Sequence, residues 1–351
     1  MQVIDMDFRG KNIDLVGKMN LWFGISIALI VVGLVSWLAF GLNLGIDFKG
    51  GSQFTYRIPE KARPKAGEEA TLLGKVNDGL EEAKIIGSRS QVAGGQDLVV
   101  NTSALSDSEA NSQVAIVNTV VAKAFDVPKI APEGRQQVGA VIGDELRSNA
   151  IKGVVLGVLG IALWIYIRYN FAGDGLRYAV AGIVALVHDV FVLIGLFALI
   201  GKIDPRVEID SGFIAALLTV VGYSINDSVV IFDRIRENLR NRRSDPFDKL
   251  VNDSLLETMS RSINTGATVL IMLFVLLLFG GESIYNFTLA MLVGIASGLY
   301  SSIFNASMVL VLWHRLDEKK ADRLKTERDA TRTTVKVSET SRGTALKSRG
   351  K

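Results

Sequence analysis

The sequence predicts a polytopic α-helical membrane protein: six transmembrane helices, with an α+β, ferredoxin-like domain outside the membrane between helices 1 and 2. Three observations lead there. Of the 351 residues, 49% are hydrophobic and 21% charged, and the mean hydropathy is +0.31. The apolar residues arrive in six blocks, at 21–42, 153–167, 179–200, 213–232, 267–279 and 289–313, each long enough or nearly so to cross about 30 Å of hydrocarbon as helix. One stretch, 43–150, has the alternation and turn signals of a small folded domain instead. A water-soluble enzyme is excluded.

The first block runs 22 residues, longer than the apolar core of a secretory signal. Ala39-Phe40-Gly41 is only a weak cleavage signal, so an uncleaved anchor is expected. Lys and Arg number three in 1–20, two in 168–178, seven in 233–264 and twelve from His314 onward. The other face carries only Lys202 and Arg206 in 201–212, and none in 280–288. The positive-inside rule therefore places both termini in the cytoplasm. Residues 1–20 read as a cytoplasmic N-terminus, 21–42 as helix 1, 43–150 as the outside domain and 151–313 as helices 2–6. The 314–351 tail is basic, with hardly any large apolar residue after Leu324, and is expected to be disordered. It is read as a solvated tail that reinforces topology, contact with anionic lipid or ribosomal RNA being the other reading.

Within the outside domain, 52–58 alternates Phe54, Tyr56 and Ile58 with polar residues, as a half-buried strand does. Leu72, Val76 and Leu80 recur at helical spacing over 68–83, behind the breakers Pro64 and Gly67. Gly94-Gly95 separates two strand candidates, 84–93 and 97–102, as a hairpin turn would. Val114, Val117, Val121 and Phe125 mark a second helix over 108–125, and a final strand is expected near 136–142. The domain has 14 acidic and 12 basic side chains, which suggests no nucleic-acid surface. It holds no constellation of acid, base and nucleophile, so a binding or gating module is expected.

Absences narrow the chemistry further. The chain has no cysteine and two histidines, which excludes disulfides, thiolate nucleophiles, Cys-based metal sites and a His-rich metal site. It has no G-x-x-x-x-G-K-[ST] phosphate cradle, so nucleotide hydrolysis is not the expected energy source.

Ionisable groups at membrane depth are expensive, about 2.5–3.5 kcal/mol each on insertion scales, and need a reason. His188 and Asp189 lie in the middle of the third block. They read as a proton relay or polar helix contact, or equally as a hydrogen-bonded pair that fixes helix register. In the fourth block Thr219, Tyr223 and Asp227 fall at i, i+4 and i+8, with Ser224, Asn226 and Ser228 beside them. Asp227 sits six residues before Asp233, roughly 9 Å inside by helical rise. Extending the fifth helix backward through 254–266 brings Arg261 to similar depth, so an Asp–Arg switch is expected, a static ion pair being the alternative. Gly294-x-x-x-Gly298 and Gly153-x-x-x-Gly157 allow close helix packing. Ser301, Ser302 and Asn305 could line a polar seam in the last span or bond back to their own helix.

Several of these stretches resemble the SecD/SecF protein-export family. Residues 45–51 read Gly-Ile-Asp-Phe-Lys-Gly-Gly, similar to its D-F-x-G-G signature. Residues 138–146 read Val-Gly-Ala-Val-Ile-Gly-Asp-Glu-Leu, similar to its V-G-x-x-[VI]-G-x-E-L segment. Val187-His188-Asp189, the 222–238 segment and the 260–265 segment ending at Thr265 resemble further blocks. The resemblance covers about 8–315, and six spans with one short outside domain resemble the SecF branch rather than the SecD branch.

This resemblance implies a half-unit of the RND superfamily type in a bacterial inner membrane, its domain periplasmic. It implies pairing with SecD beside the SecYEG channel, with YajC and YidC nearby, and action on exported polypeptides after SecA-driven insertion. It implies no cofactor, coupling to H+ or in some bacteria Na+, and no ATPase of its own. Asp227 and Arg261 match the family's intramembrane Asp and Arg, which are thought to work with an Asp of SecD. Asp47, Phe48, Gly50 and Gly51 match its structural motif at the membrane surface, expected to orient the domain rather than do chemistry. Rival readings are an RND-type small-molecule transporter subunit, disfavoured by six spans and one small domain, and a non-conducting scaffold. An intramembrane protease lacks a nucleophile to match His188.

Overall fold

The computed structural model describes residue 8 and residues 11–348, except 65–67, 86, 104–106 and 171–173. Among these, six helices are long and apolar enough to cross a membrane. The first, α1 (Met19–Phe40), carries no charged residue and ends where the Gly41 N–H donates to Trp37 O. One helical turn, α2 (Ile46–Lys49), then leads into the extramembrane domain.

That domain runs β1 (Gly51–Arg57), α3 (Glu69–Glu82), β2 (Arg89–Ala93), β3 (Asp97–Thr102), α4 (Asp107–Ala124) and β4 (Gly134–Val138). Its four strands pair antiparallel in the order β2-β3-β1-β4, with Phe54 opposite both Val100 and Arg135. Strand, helix, strand, strand, helix, strand is the element order of the ferredoxin-like plan. Alternation along β1 buries Phe54 and Tyr56 on one face, continued by Ile58. They pack on Leu72, Val76 and Leu80 of α3 and on Val117, Val121 and Phe125 beside them, the two apolar stripes evident in the sequence. Each such side chain contributes about 1.5–3 kcal/mol on full burial, which lets a four-stranded sheet hold together. The buried Tyr56 hydroxyl, its pKa raised by desolvation, donates to Asn118 Oδ1 at 2.8 Å.

Two boundaries differ from expectation. The β2 strand starts at Arg89 rather than 84, because Lys84 and Gly87 adopt φ of 58° and 66° and turn the chain first. The β4 strand spans Gly134–Val138 rather than 136–142, because a helix begins at Ala140. Gly67, expected to break the chain before α3, lies outside the described residues.

The remaining spans are α5 (Ala140–Asn170), α6 (Gly175–Ile203), α7 (Ser211–Asn241), α8 (Phe247–Phe279) and a composite last span. The last comprises α9 (Tyr285–Ser301), a π-helical turn (Ser302–Ala306) and α10 (Ser307–Ser348). The domain thus ends at Val138 and not at 150, since the helix of the second span is 31 residues long and starts well outside the apolar block. The tail, expected to be disordered, continues α10 as helix to Ser348. Leu, Lys, Arg, Glu and Ala dominate 315–328 and favour helix. Charges one turn apart help, as where His314 Nε2 lies 3.4 Å from Glu318 Oε1.

In the bundle α6 packs against α1, α5, α7 and α9. About half of the most apolar stretch of α6, of α7 and of the last span is buried, whereas α1, α5 and α8 expose apolar side chains such as Leu38, Leu156 and Met272. Glycines set the closest crossings. A Cβ on Gly195 of α6 would lie 2.2 Å from Gly33 Cα of α1, so these helices meet backbone to backbone. A Cβ on Gly294 would lie 2.4 Å from Val220 Cγ2, which makes 294 and 298 the packing face against α7. Gly153 has nothing within 4 Å and Gly157 meets only Leu218, at 3.7 Å. That second glycine pair therefore marks no close crossing, contrary to expectation, because it lies on a sparsely covered helix.

Candidate ion-coupling site

The domain is fastened to the bundle next to the double glycine. Gly45 N–H donates to Ile209 O (2.9 Å) and Ile209 N–H to Asn43 O (2.7 Å), a parallel bridge joining the chain after α1 to the loop between α6 and α7. Asn43 Nδ2 also donates to Pro205 O and Val207 O, both at 3.1 Å, and Arg89 Nη1 donates to Asn43 Oδ1 at 3.2 Å. The structure puts Asp47 at the start of α7, where its Oδ2 accepts from Ser211 N–H at 2.8 Å. Phe48 is buried among Leu193, Phe197 and Phe213 of the bundle. Gly50 and Gly51 have φ of 72° and 150°, and a Cβ on Gly51 would meet Thr102 O at 2.5 Å. Only glycine fits there.

A cavity of about 190 Å³ lies in this junction, bordered by Lys49, Arg89, Asn101, Thr102 and Glu208. Burial pushes the Glu208 carboxyl up to about 7, against the lowering influence of Arg89 and Lys49. Burial also raises the pKa of Asp210, which caps α7 by accepting from Phe213 N–H (2.7 Å) and takes a second bond from Asn286 Nδ2 (3.1 Å).

Deeper in the bundle, Asp227 projects from α7 towards α8. Its Oδ1 accepts from Ser262 Oγ at 2.5 Å, and its buried Oδ2 has no hydrogen-bond partner among the described residues. The neighbour of Asp227 is thus Ser262, and the expected contact with Arg261 is not formed. Arg261 is one residue off the facing position; it is exposed and makes no ion pair within 4.0 Å among the described residues. It borders a cleft of about 690 Å³ with Lys11, Arg234, Arg242, Asp253 and Glu257. Thr219 and Asn226 of α7 and Arg261, Asn264, Thr265 and Thr268 of α8 are all exposed, and Tyr223 is half-buried beside them. Helical spacing puts each set on one stripe, so a polar strip runs down an open face of the bundle at membrane depth.

His188 and Asp189 belong to a second cluster. Asp189 is 1% exposed and accepts from Ser224 and Ser301 at Oδ2 and from Ser297 at Oδ1, each at 2.7 Å. His188 Nδ1 lies 3.1 Å from Oδ1. Ser302 Oγ, in the π turn, donates to Ser224 O at 2.9 Å, and Ser26 Oγ donates to Asn305 Oδ1 at 2.8 Å. Ser301, Ser302 and Asn305 thus bond to other spans rather than only to their own helix. Sequence reasoning assigned no role to Ser262 or Ser297. The i, i+4 spacing of Ser297 and Ser301 was a signal for the latter; a serine on either side of Arg261 offered none for the former. Among the described residues no group of three His, Cys, Asp or Glu is placed to hold a metal ion.

Residues 117–316 match the family model for the C-terminal part of the protein export membrane proteins SecD/SecF, and 35–58 match that of the SecD/SecF GG motif. The chain belongs to the SecD/SecF protein-export family. It is 37% identical to the protein translocase subunit SecF of Thermobaculum terrenum, over 87% of this chain and 95% of that one. Identity to SecF of Alicyclobacillus acidocaldarius is 38%, over 88% and 96%. It is 34% identical to the subunit SecDF of Bacillus subtilis, covering 88% of this chain but 39% of the relative. The crystal structure of SecDF, a translocon-associated membrane protein of Thermus thermophilus, is similar at a TM-score of 0.72 and 31% identity, over 87% of this chain and 39% of that one. The chain therefore spans about two fifths of that structure and nearly all of the SecF relatives. In this SecD/SecF member the double-glycine match spans the domain clasp and β1, while the C-terminal match contains both carboxylate clusters.

Proposed function

We propose that the chain is the SecF half of an ion-driven export unit that pairs with SecD in the bacterial inner membrane. It uses the H+ or Na+ gradient, rather than an ATPase of its own, to assist polypeptides through SecYEG after SecA-driven insertion, with YajC and YidC as further neighbours. Both termini are cytoplasmic and the sheet domain is periplasmic. The polar strip around Asp227 carries this reading. Hydrocarbon is a poor solvent for an arginine, two asparagines and three threonines, and the half-buried Asp227 has one oxygen unpaired. A second bundle with complementary polar groups would cover such a face, and the fused SecDF relatives support SecD as that bundle. Asp227 takes up and releases the ion, and Arg261 answers its charge across the seam. One charge moved through 100 mV supplies about 2.3 kcal/mol, enough to bias a two-state element. His188, Asp189, Tyr223, Asn226 and Thr265 serve as relay or helix contacts.

The test is export of a slow-maturing secreted protein in cells whose native subunit is replaced by Asp227→Asn or by Arg261→Lys. Lost export, with the variant accumulating and still bound to SecD, is expected. Normal export would reduce the chain to a scaffold.

A further inference from the structure

We propose that Nε2 of His188 is a proton-binding atom inside the membrane, and that its proton neutralises the Asp189 cluster and is linked to the π turn of the last span. Asp189 is enclosed. No Lys or Arg is within 4.0 Å of it among the described residues; its sole ion-pair partner there is His188, which counts only when charged. Among the described residues, the elements packed around α6 bring no other charge into contact with Asp189. Helix α1 contains no titratable residue; α7 contributes the Ser224 hydroxyl, while its Asp227 faces α8, bonded to Ser262. Helix α9 contributes Ser297, Ser301 and Tyr300, whose hydroxyl donates to Trp22 O at 2.7 Å. On α5, Arg168 and Tyr169 are tied to Asp233 near the bundle end, and on α10 Arg315 and Asp317 are tied to Asp248 and Arg177. With neutral imidazole the cluster has a net charge of −1. Three hydroxyls soften the desolvation of that charge without cancelling it.

Only one atom can take the compensating proton without disturbing a bond. Each oxygen of Asp189 already has two neighbours, so protonating either would turn a donor away. Nδ1 of His188 faces Oδ1 and serves as the donor to it. Nε2 is buried and has no hydrogen-bond partner among the described residues. A proton arriving from water forms an N–H bond at Nε2, breaks no bond in the cluster and takes its charge from −1 to zero. The imidazolium then binds Oδ1 more strongly through Nδ1–H, in competition with Ser297. Ser297 and Ser301 form the last turn before the π segment, and Ser302 inside it hangs on the Ser224 carbonyl. Proton loading is thereby coupled to the one place where the last span departs from α-helix, the kind of irregularity associated with functional movement.

Its consequence for export rests on the ion-driven reading above; the protonation itself does not. The chain has two histidines, and His314 stacks on Phe247 at the far end of the bundle, so His314→Gln leaves one imidazole. The full chain in this background, labelled with ¹⁵N-histidine in lipid vesicles, is read by solid-state NMR between about pH 5 and 8, where imidazole ordinarily titrates. Both ring nitrogens are expected to carry protons at the acid end and Nδ1 alone at the alkaline end. Asp189→Asn, which removes the charge that this proton offsets, is expected to lose the acid-end Nε2–H signal. An Nε2 that stays unprotonated throughout, or an Nδ1 that is the bare nitrogen, overturns the proposal, and the unsubstituted His188 decides this even if Asp189→Asn fails to fold. Asp227→Asn is expected to leave the transition in place even where it abolishes export, which separates failure here from failure of the export reading.

Discussion

Asp227 depends on one hydroxyl. Removing the Ser262 side chain deletes the sole hydrogen-bond donor to its carboxylate among the described residues. Hydrogen bonds to charged groups are worth about 1.5–3 kcal/mol. Ser262→Ala is therefore expected to slow export by roughly tenfold or more, whereas Ser262→Thr, which keeps the hydroxyl, is expected to hold most of the rate; export kinetics with complex assembly as the control would show it. The existence of a buried acid in the fourth span was legible from the sequence, because polar residues at i, i+4 and i+8 stand out in an aliphatic helix. Its neighbour was not. Whether Arg261 or Ser262 meets Asp227 is a question of rotation about the α8 axis, roughly 100° between successive residues, and no spacing within one helix reveals the rotation of another.

At the level of elements, hydrophobic patterning was informative wherever one face is buried. Phe54, Tyr56 and Ile58 announced β1, and the valines of 114–121 announced α4, since a period of two or of 3.6 is visible only when the opposite face is wet. Spans gave weaker boundaries. Helices α5, α7 and α8 continue beyond their apolar blocks into charged turns, and nothing in hydropathy marks where a helix leaving the membrane stops. The π turn was invisible too, because its serine and asparagine bond to α7 and α1, partners that no pattern within the last span reveals. Glycine pairs need the structure to be ranked. Gly195→Ala would drive a Cβ into the Gly33 backbone, which cannot rotate aside, and is expected to destabilise the α1–α6 crossing by about 1–3 kcal/mol. Gly153→Ala, with open space around it, is expected to be neutral or slightly stabilising. Thermal unfolding of the two variants in detergent would separate them.

Across the whole molecule, the attachment of the domain should respond to acidity. The raised pKa of Glu208 means that the docked state holds a proton which an exposed carboxylate would release. The resulting stabilisation is full below the ordinary glutamate value of 4.5 and is lost as pH rises through about 7. Distances between spin labels on α3 and on the 204–210 loop are expected to lengthen or broaden over that window, and Glu208→Gln is expected to remove the dependence. A distance distribution that ignores pH would show that Glu208 does not govern docking.

The clasp at Asn43–Gly45 also determines how a mechanical load would travel. Force applied to the sheet domain reaches the bundle through two covalent tethers, the one before β1 and the one after β4. It also passes sideways, through the Leu44–Ile209 bridge, into the loop joining α6 and α7. Tension is thus shared with the two helices that bear Asp189 and Asp227, and a tug on the domain is felt at both carboxylates.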